Sequence, residues 1–228
     1  MEEYSLSQLE EKIGYTFGNK EFLRQAMTHS SFTNEQKINQ HAHYERIEFL
    51  GDAVLELVSS EFLYFADPEM SEGNLTKTRA SIVCEQALAI TGRELELGKY
   101  MLFGKGEEAT GGRERESIVA DAVEAVIGAI YLDGGMECAK SFIKRFVLND
   151  LENKKLFYDA KSILQELVQE KKDGELTYVL LKEEGPEHNK QFYVAAMFQG
   201  RQIGTGAGRT KKNAEQQAAY EALMKMKK

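Results

Sequence analysis

The sequence predicts an all-α domain followed by a small α+β domain. Three observations carry this. Apolar residues recur at three- and four-residue spacing through the first 155 residues. After about Lys154 the period shortens to two in a few short runs. The charge changes sign across the same point: from Leu156 onward there are 12 Lys/Arg and 10 Asp/Glu, against 17 and 27 before it, or +2 and −10. An acidic module suited to cations thus precedes a mildly basic one that can meet a polyanion.

The elements follow in order. "SLSQLEEKIG" (5–14) predicts a helix with Ser5 and Gln8 as a capping box. "KEFLRQAMTHSSF" (20–32), "YERIEFLGDAVLELV" (44–58) and "NLTKTRASIVCEQALAITGRELEL" (74–97) each predict one more. "FGKGEEATGGRERES" (103–117) is polar and Gly-rich and reads as a loop. "SIVADAVEAVIGAIYLDGG" and "MECAKSFIKRFVLNDLEN" (117–153) are helical, with Gly134-Gly135, like Gly92 earlier, placed as helix stops or turns. "DAKSILQELVQEKK" opens the second domain, with Asp159 as N-cap. "LTYVLL", "QFYVAAMF" and "RQIGTG" are strands, and "KKNAEQQAAYEALMKM" closes as a helix. The expected domains are 1–152 and 159–228, joined by a linker at 153–158.

Composition narrows the function classes. No apolar run approaches the roughly 20 residues of a membrane span. The start "MEEYSLSQLEEK" lacks the basic and apolar regions of a signal peptide. A soluble, cytoplasmic protein without a membrane partner is expected. Cys84 and Cys138 lie far apart and outside any C-x-x-C pair, so buried free thiols are expected. Gly204, Gly206 and Gly208 do not form G-x-G-x-x-G, and "GKGEEATGG" lacks the closing G-K-[ST] of a Walker loop. No nucleotide cofactor is expected.

The stretch 44–58 poses the chemical question, because Glu45, Glu48, Asp52 and Glu56 stack along one helix. Carboxylates about 6 Å apart at an effective dielectric of about 20 repel by roughly 3 kcal/mol. Such a column must bind a cation, hold a proton or be reached by basic side chains. In 117–132 the only charged residues are Asp121 and Glu124, three apart on an apolar helix. A helix apolar all round is normally buried, and buried carboxylates are rare unless paired or metal-bound. Two such helices facing each other make a cage of Glu48, Asp52, Asp121 and Glu124. Oxygen ligands without His or Cys suit Mg²⁺, with Mn²⁺ as a substitute. A carboxylate di-iron bundle is disfavoured, because no Glu-x-x-His pattern accompanies the acids.

These residues also carry a family resemblance. "ERIEFLGDAVLEL" resembles the ribonuclease III signature ERLEFLGDAVL, with Ile47 for Leu the single change. "LEEKIGYTFGNKEFLRQAMTHSSF", "SEGNLTKTRASIV" and "GKGEEATGGRERESIVADAVEAVIGAIYLDGG" are similar to the same family, in the same order. The C-terminal unit resembles a double-stranded-RNA-binding domain. The resemblance implies an all-helical nuclease domain that forms a homodimer, with two sites along one duplex groove. Each site would cut one strand of double-stranded RNA by metal-activated water. The products would carry 5′-phosphate and 3′-hydroxyl ends with short 3′ overhangs, from rRNA precursors and other structured transcripts. The family's metal acids fall on Glu48, Asp52, Asp121 and Glu124, with Asp52 and Glu124 at the positions most essential to catalysis. Glu45 and Glu72 match acids of a secondary role near the RNA or the dimer contact. Glu56 matches none, and is expected to be solvated or ion-paired.

Recognition of A-form RNA needs contacts to two minor grooves and the phosphates between them. Ser162, Gln165, Glu166 and Gln169 share one helix face and can hydrogen-bond 2′-hydroxyls. "GPEHNKQF" looks like the family's loop, which would place His188 in the second minor groove. Thr210, Lys211 and Lys212 stand at a helix start, where backbone N–H groups and lysines favour phosphate. Thr210 replaces the Ser common in the family and keeps the hydroxyl. A non-catalytic double-stranded-RNA-binding protein is the alternative; loss of a cage acid would favour it, and all four are present.

Overall fold

The computed structural model describes residues 3–37, 42–149, 160–170, 174–185, 190–208 and 210–226. The chain divides into two compact units, Met1–Asn149 and Asp150–Lys228. The linker expected at 153–158 and the expected cap Asp159 lie outside the described residues.

The first unit is helical throughout its named elements. These are α1 (Glu3–Ile13), α2 (Lys20–Ala26), α3 (Ser30–Gln36), α4 (Glu45–Ala66), α5 (Glu72–Ile82), α6 (Glu85–Glu94), α7 (Leu97–Tyr100), α8 (Lys105–Ala109) and α9 (Glu116–Phe142). At its core lies α9, where Ile118, Val119, Val123, Val126, Ile127 and Ile130 are all buried. Its backbone breaks at Gly135 (φ 78°, ψ −174°), a conformation open mainly to glycine and the stop expected there. Cys84 and Cys138 are unpaired and half-buried rather than fully buried.

Several local expectations are corrected. α1 begins at Glu3, so Ser5 lies inside the helix instead of capping it. The segment 20–32 forms two helices, because Leu102 N–H donates to the Met27 carbonyl at 2.8 Å and His29 N–H to the Leu102 carbonyl at 3.0 Å. The segment 74–97 also divides, since Cys84 is extended (φ −70°, ψ 159°). Gly92 stops nothing. It is buried within α6, where a Cβ would stand 2.5 Å from Val119 Cγ1, so it lets α6 approach α9 closely.

Residues 103–117 hold α8, a 3₁₀ turn (Gly112–Glu114) and the start of α9, not a plain loop. Arg113 orders them: its Nη1 donates to the carbonyls of Gly98 at 2.7 Å and Met101 at 2.9 Å, and its Nη2 to Glu108 at 2.6 Å. A guanidinium, not an apolar period, makes that structure, so hydropathy did not signal it.

The second unit has the predicted α-β-β-β-α order: α10 (Ala160–Glu170), β1 (Leu176–Glu184), β2 (Gln191–Phe198), β3 (Arg201–Gly208) and α11 (Lys211–Met226). The strands form an antiparallel sheet in the order β1-β2-β3, with Leu180 opposite Val194 and Val194 opposite Gly206. Both helices pack on it around Ala160, Leu164, Val168, Leu176, Ala219, Ala222 and Leu223. Gly204 and Gly206 lie under α11, where a Cβ would come within 2.2 Å of the Ala218 and Ala214 carbonyls respectively. Helix packing accounts for these two glycines.

Candidate metal centre and nucleic-acid interface

The acids meet because α4 and α9 cross on two glycines. A Cβ on Gly51 would stand 1.8 Å from the Glu124 carbonyl oxygen, and one on Gly128 would stand 2.2 Å from the Ile47 carbonyl oxygen. Each helix therefore lays bare backbone against the other. Glu48 lies one turn before Gly51, and Glu124 one turn before Gly128, so the crossing sets them side by side.

Glu48, Asp121 and Glu124 each offer a carboxylate oxygen, and the three oxygens lie within 4.8 Å of one another. Ligand oxygens around an octahedral ion at about 2.1 Å stand at most about 4.2 Å apart, so little adjustment separates this group from a coordination shell. Asp52 is exposed and lies outside this trio, yet its charge acts on both Glu48 and Glu124. Among the described residues no lysine or arginine forms an ion pair with any of the four, and only one hydrogen bond reaches them, from the Tyr44 hydroxyl to Asp121 Oδ2 at 3.2 Å.

The electrostatics report an unmet demand for positive charge. Burial pushes the Glu124 carboxyl up to about 8, with the charges of Asp52 and Glu48 adding to it. Burial, then Asp121, Glu45 and Asp52, lift Glu48 to about 7. Asp121 is raised by burial and held back by the Tyr44 hydrogen bond and by His29. Hard oxygen donors, partial burial and no lysine or arginine partner among the described residues fit a divalent cation.

A pH dependence follows. The folded-state pKa values lie above the ordinary carboxylate range, so the stability these groups allow is complete below about pH 4.5 and is lost as pH rises through about 7 to 8. A divalent ion must displace those protons. The rise in melting temperature on adding Mg²⁺ is therefore expected to be larger at pH 8 than at pH 6. Equal shifts in a thermal-denaturation series would contradict it.

The other acids fall elsewhere. Glu45 is exposed, 3.8 Å from His43 Nδ1. Glu72 is exposed in the first turn of α5 and accepts from Thr76 Oγ1 at 3.1 Å, outside the acid trio. Glu56 pairs with Arg79 at 2.7 Å, and Arg79 also donates to Ser60 Oγ at 2.8 Å.

In the second unit Ser162, Gln165, Glu166 and Gln169 are all exposed along one face of α10. Thr210 is exposed, and its hydroxyl accepts from Asn213 N–H at 3.1 Å, so it caps α11. Lys211 and Lys212 are exposed in the first turn, with Lys211 Nζ 3.5 Å from Glu183. His188 lies outside the described residues. Sequence reasoning missed Tyr44, Gly51 and Gly128. The glycines did leave a signal, because each interior helical Gly costs about 1 kcal/mol against Ala and so asks for a reason.

Comparison with known proteins finds a match in each part of the chain. Residues 19–151 match a family described as ribonuclease-III-like, and residues 160–226 match the double-stranded RNA binding motif. The chain is 50% identical over 223 residues to ribonuclease 3 of Pelotomaculum thermopropionicum, covering 96% of this chain and 92% of that one. It is 49% identical over 221 residues to ribonuclease 3 of Bacillus licheniformis, covering 96% and 89%. Among solved structures, the nuclease domain of ribonuclease III from Campylobacter jejuni is 42% identical, with a TM-score of 0.58, covering 62% of this chain and 95% of that one. Among the described residues no helix is long and apolar enough to cross a membrane.

Proposed function

Because the chain belongs to the ribonuclease III family, we propose that Glu48, Asp52, Asp121 and Glu124 form the centre at which it cuts RNA. The chain is an endoribonuclease acting on double-stranded RNA. The non-catalytic alternative is not favoured. One observation carries the site: three carboxylate oxygens from α4 and α9 lie within 4.8 Å of one another, with no basic partner among the described residues.

The resident ion is a divalent cation, Mg²⁺ by preference and Mn²⁺ as a substitute. Glu48, Asp121 and Glu124 would hold it, with Asp52 at the exposed edge of the group. When bound, such an ion lowers the pKa of water and offsets charge on a phosphoryl group. The chain's own residues supply the rest. Burial and their neighbours' charges raise Glu48 and Glu124 into the neutral range, so a cation competes with protons at these two groups. Asp52, the most exposed of the four, stands where substrate can approach. Glu45 and Glu72, exposed on neighbouring helices, take the secondary role of meeting the RNA or the dimer contact. Products carry 5′-phosphate and 3′-hydroxyl ends with short 3′ overhangs, and the substrates include rRNA precursors and other structured transcripts of the cytoplasm.

The nuclease unit works as a homodimer. Four large apolar side chains of α4, Phe49, Leu57, Tyr64 and Phe65, are 59–77% exposed. An apolar surface of that kind on a soluble unit marks an interface. The similar Campylobacter jejuni domain has a region involved in dimer formation.

The second unit grips the duplex through Ser162, Gln165, Glu166 and Gln169 on one side, His188 in the sequence between β1 and β2, and Thr210, Lys211 and Lys212 at the start of α11. Lys211→Ala with Lys212→Ala is expected to weaken duplex binding and to flatten its log–log salt dependence by roughly 1 to 2. The lower figure applies if Glu183 already occupies Lys211. An unchanged slope would remove the phosphate role. The reading as a whole is tested by incubating an RNA duplex with Mg²⁺ or with EDTA and analysing the product ends. Cleavage in EDTA, or 3′-phosphate ends, would defeat it.

A further inference from the structure

Tyr44 immediately precedes α4 and is buried, yet its polar end is turned into the acid group. Its hydroxyl donates to Asp121 Oδ2 at 3.2 Å and is the one hydrogen-bond donor on the four acids among the described residues. The ring is held on its other side. His29 lies against it with centroids 5.7 Å apart, and Phe103 lies 5.3 Å from His29. His29 is itself pinned: its Nδ1 accepts from Ser31 N–H at 3.1 Å, and Ser31 Oγ accepts from Gly104 N–H at 3.0 Å. Tyr44 N–H donates to the Thr28 carbonyl at 2.9 Å, fixing its backbone to the same loop. A chain of contacts thus runs from the α2–α3 turn, through tilted ring contacts, to a single carboxylate oxygen.

We propose that Tyr44 is a positioning residue that holds Asp121 facing Glu48 and Glu124 before any ion arrives. The proposal rests on the reading of these acids as the metal centre. An ionised carboxylate only accepts hydrogen bonds, and a phenol can donate one while its ring stays in an apolar setting. Three crowded acids tend to turn apart as they ionise when no cation is bound. One fixed donor on Asp121 opposes that, because it stabilises the charged form in one orientation. Groups that orient a metal ligand from behind typically change metal affinity about 10- to 100-fold when removed.

The test is calorimetric titration of the full chain with Mn²⁺ alone, without RNA. Tyr44→Phe keeps the ring and removes one oxygen. Its Mn²⁺ affinity is expected to fall about tenfold. Its metal-free melting temperature should stay close to that of the parent. Replacing Tyr44 by p-aminophenylalanine, which restores a donor on the same ring, should recover most of the affinity. In cleavage assays the Phe variant should need about tenfold more Mn²⁺ for half-maximal rate and reach a maximal rate close to the parent's. Unchanged Mn²⁺ affinity in Tyr44→Phe would overturn the proposal. So would an amino variant as weak as the Phe variant, or a lowered melting temperature with unaltered affinity. Asp121→Asn separates the two readings. If it binds Mn²⁺ like the parent, the metal centre itself is misassigned; if it binds weakly while Tyr44→Phe does not, only the role of Tyr44 fails.

Discussion

Glu124→Gln is expected to abolish cleavage of a long RNA duplex while leaving duplex binding largely intact. The substitution keeps the size of the side chain and removes its charge. Glu124 is the acid in the tightest electrostatic position: burial, Asp52, Glu48, Asp121 and Glu56 all act to raise its pKa. Such a group is suited to be a cation ligand, because a bound cation offsets all those unfavourable interactions at once while the carboxylate stays charged. A metal centre that supplies several kcal/mol to a transition state loses about three orders of magnitude in rate when it is dismantled, at 1.36 kcal/mol per decade. Binding should survive, because most of the residues proposed to grip the duplex, Lys211 and Lys212 among them, belong to the other unit. The measurement is single-turnover cleavage beside a mobility-shift titration. Cleavage within a few-fold of the parent would sink the metal-centre assignment. The same variant bears on stability with the opposite sign. A neutral amide removes one member of a repelling cluster, so without metal the protein should melt at or above the parent's temperature at pH 8.

The fold was legible where apolar period and domain order carried it, and less so where single polar contacts did. The α-β-β-β-α order and the central apolar helix around Val123 and Ile127 could be read directly, because burial of that face leaves a pattern in the residues. The break between α2 and α3 could not, because it depends on Leu102 pairing with Met27 and His29 from more than seventy positions away. The helix within 103–117 was hidden for a related reason: Arg113 builds it by reaching carbonyls on another segment. The sequence pointed to four acids, Glu48, Asp52, Asp121 and Glu124, as one cage; the structure brings Glu48, Asp121 and Glu124 together. The exposure of Asp52 was not, since the angle at which α4 meets α9 decides which acid turns outward. Glu56 could be set apart from the column, but Arg79 as its partner required the placement of α5 beside α4.

That crossing angle supports the second large prediction, Gly51→Ala. Helix propensity alone makes the substitution stabilising by about 1 kcal/mol. The packing reverses the sign. The new Cβ would stand 1.8 Å from the Glu124 carbonyl oxygen and 2.9 Å from Gly128 N, and real Cβ contacts essentially never fall under 3.0 Å. The helices must therefore separate or slide by about 1.2 Å, the difference between 3.0 and 1.8 Å. Overpacking of this kind costs about 1–3 kcal/mol, and backbone atoms on both sides place this case at the upper end. The displaced carbonyl belongs to Glu124 itself, so the same shift opens the acid group, and a misplacement near 1 Å can cost about 10²-fold in rate. Gly51→Ala is thus expected to lower the melting temperature and to lose both Mg²⁺-induced stabilisation and cleavage. Gly73→Ala is the control, because a Cβ at Gly73 in α5 meets nothing within 4 Å. It should be neutral or slightly stabilising, as propensity dictates. A Gly51→Ala protein that melts like the parent and still responds to Mg²⁺ would mean that α4 and α9 do not touch through bare backbone, and the geometry that joins the two acidic pairs would have to be redrawn.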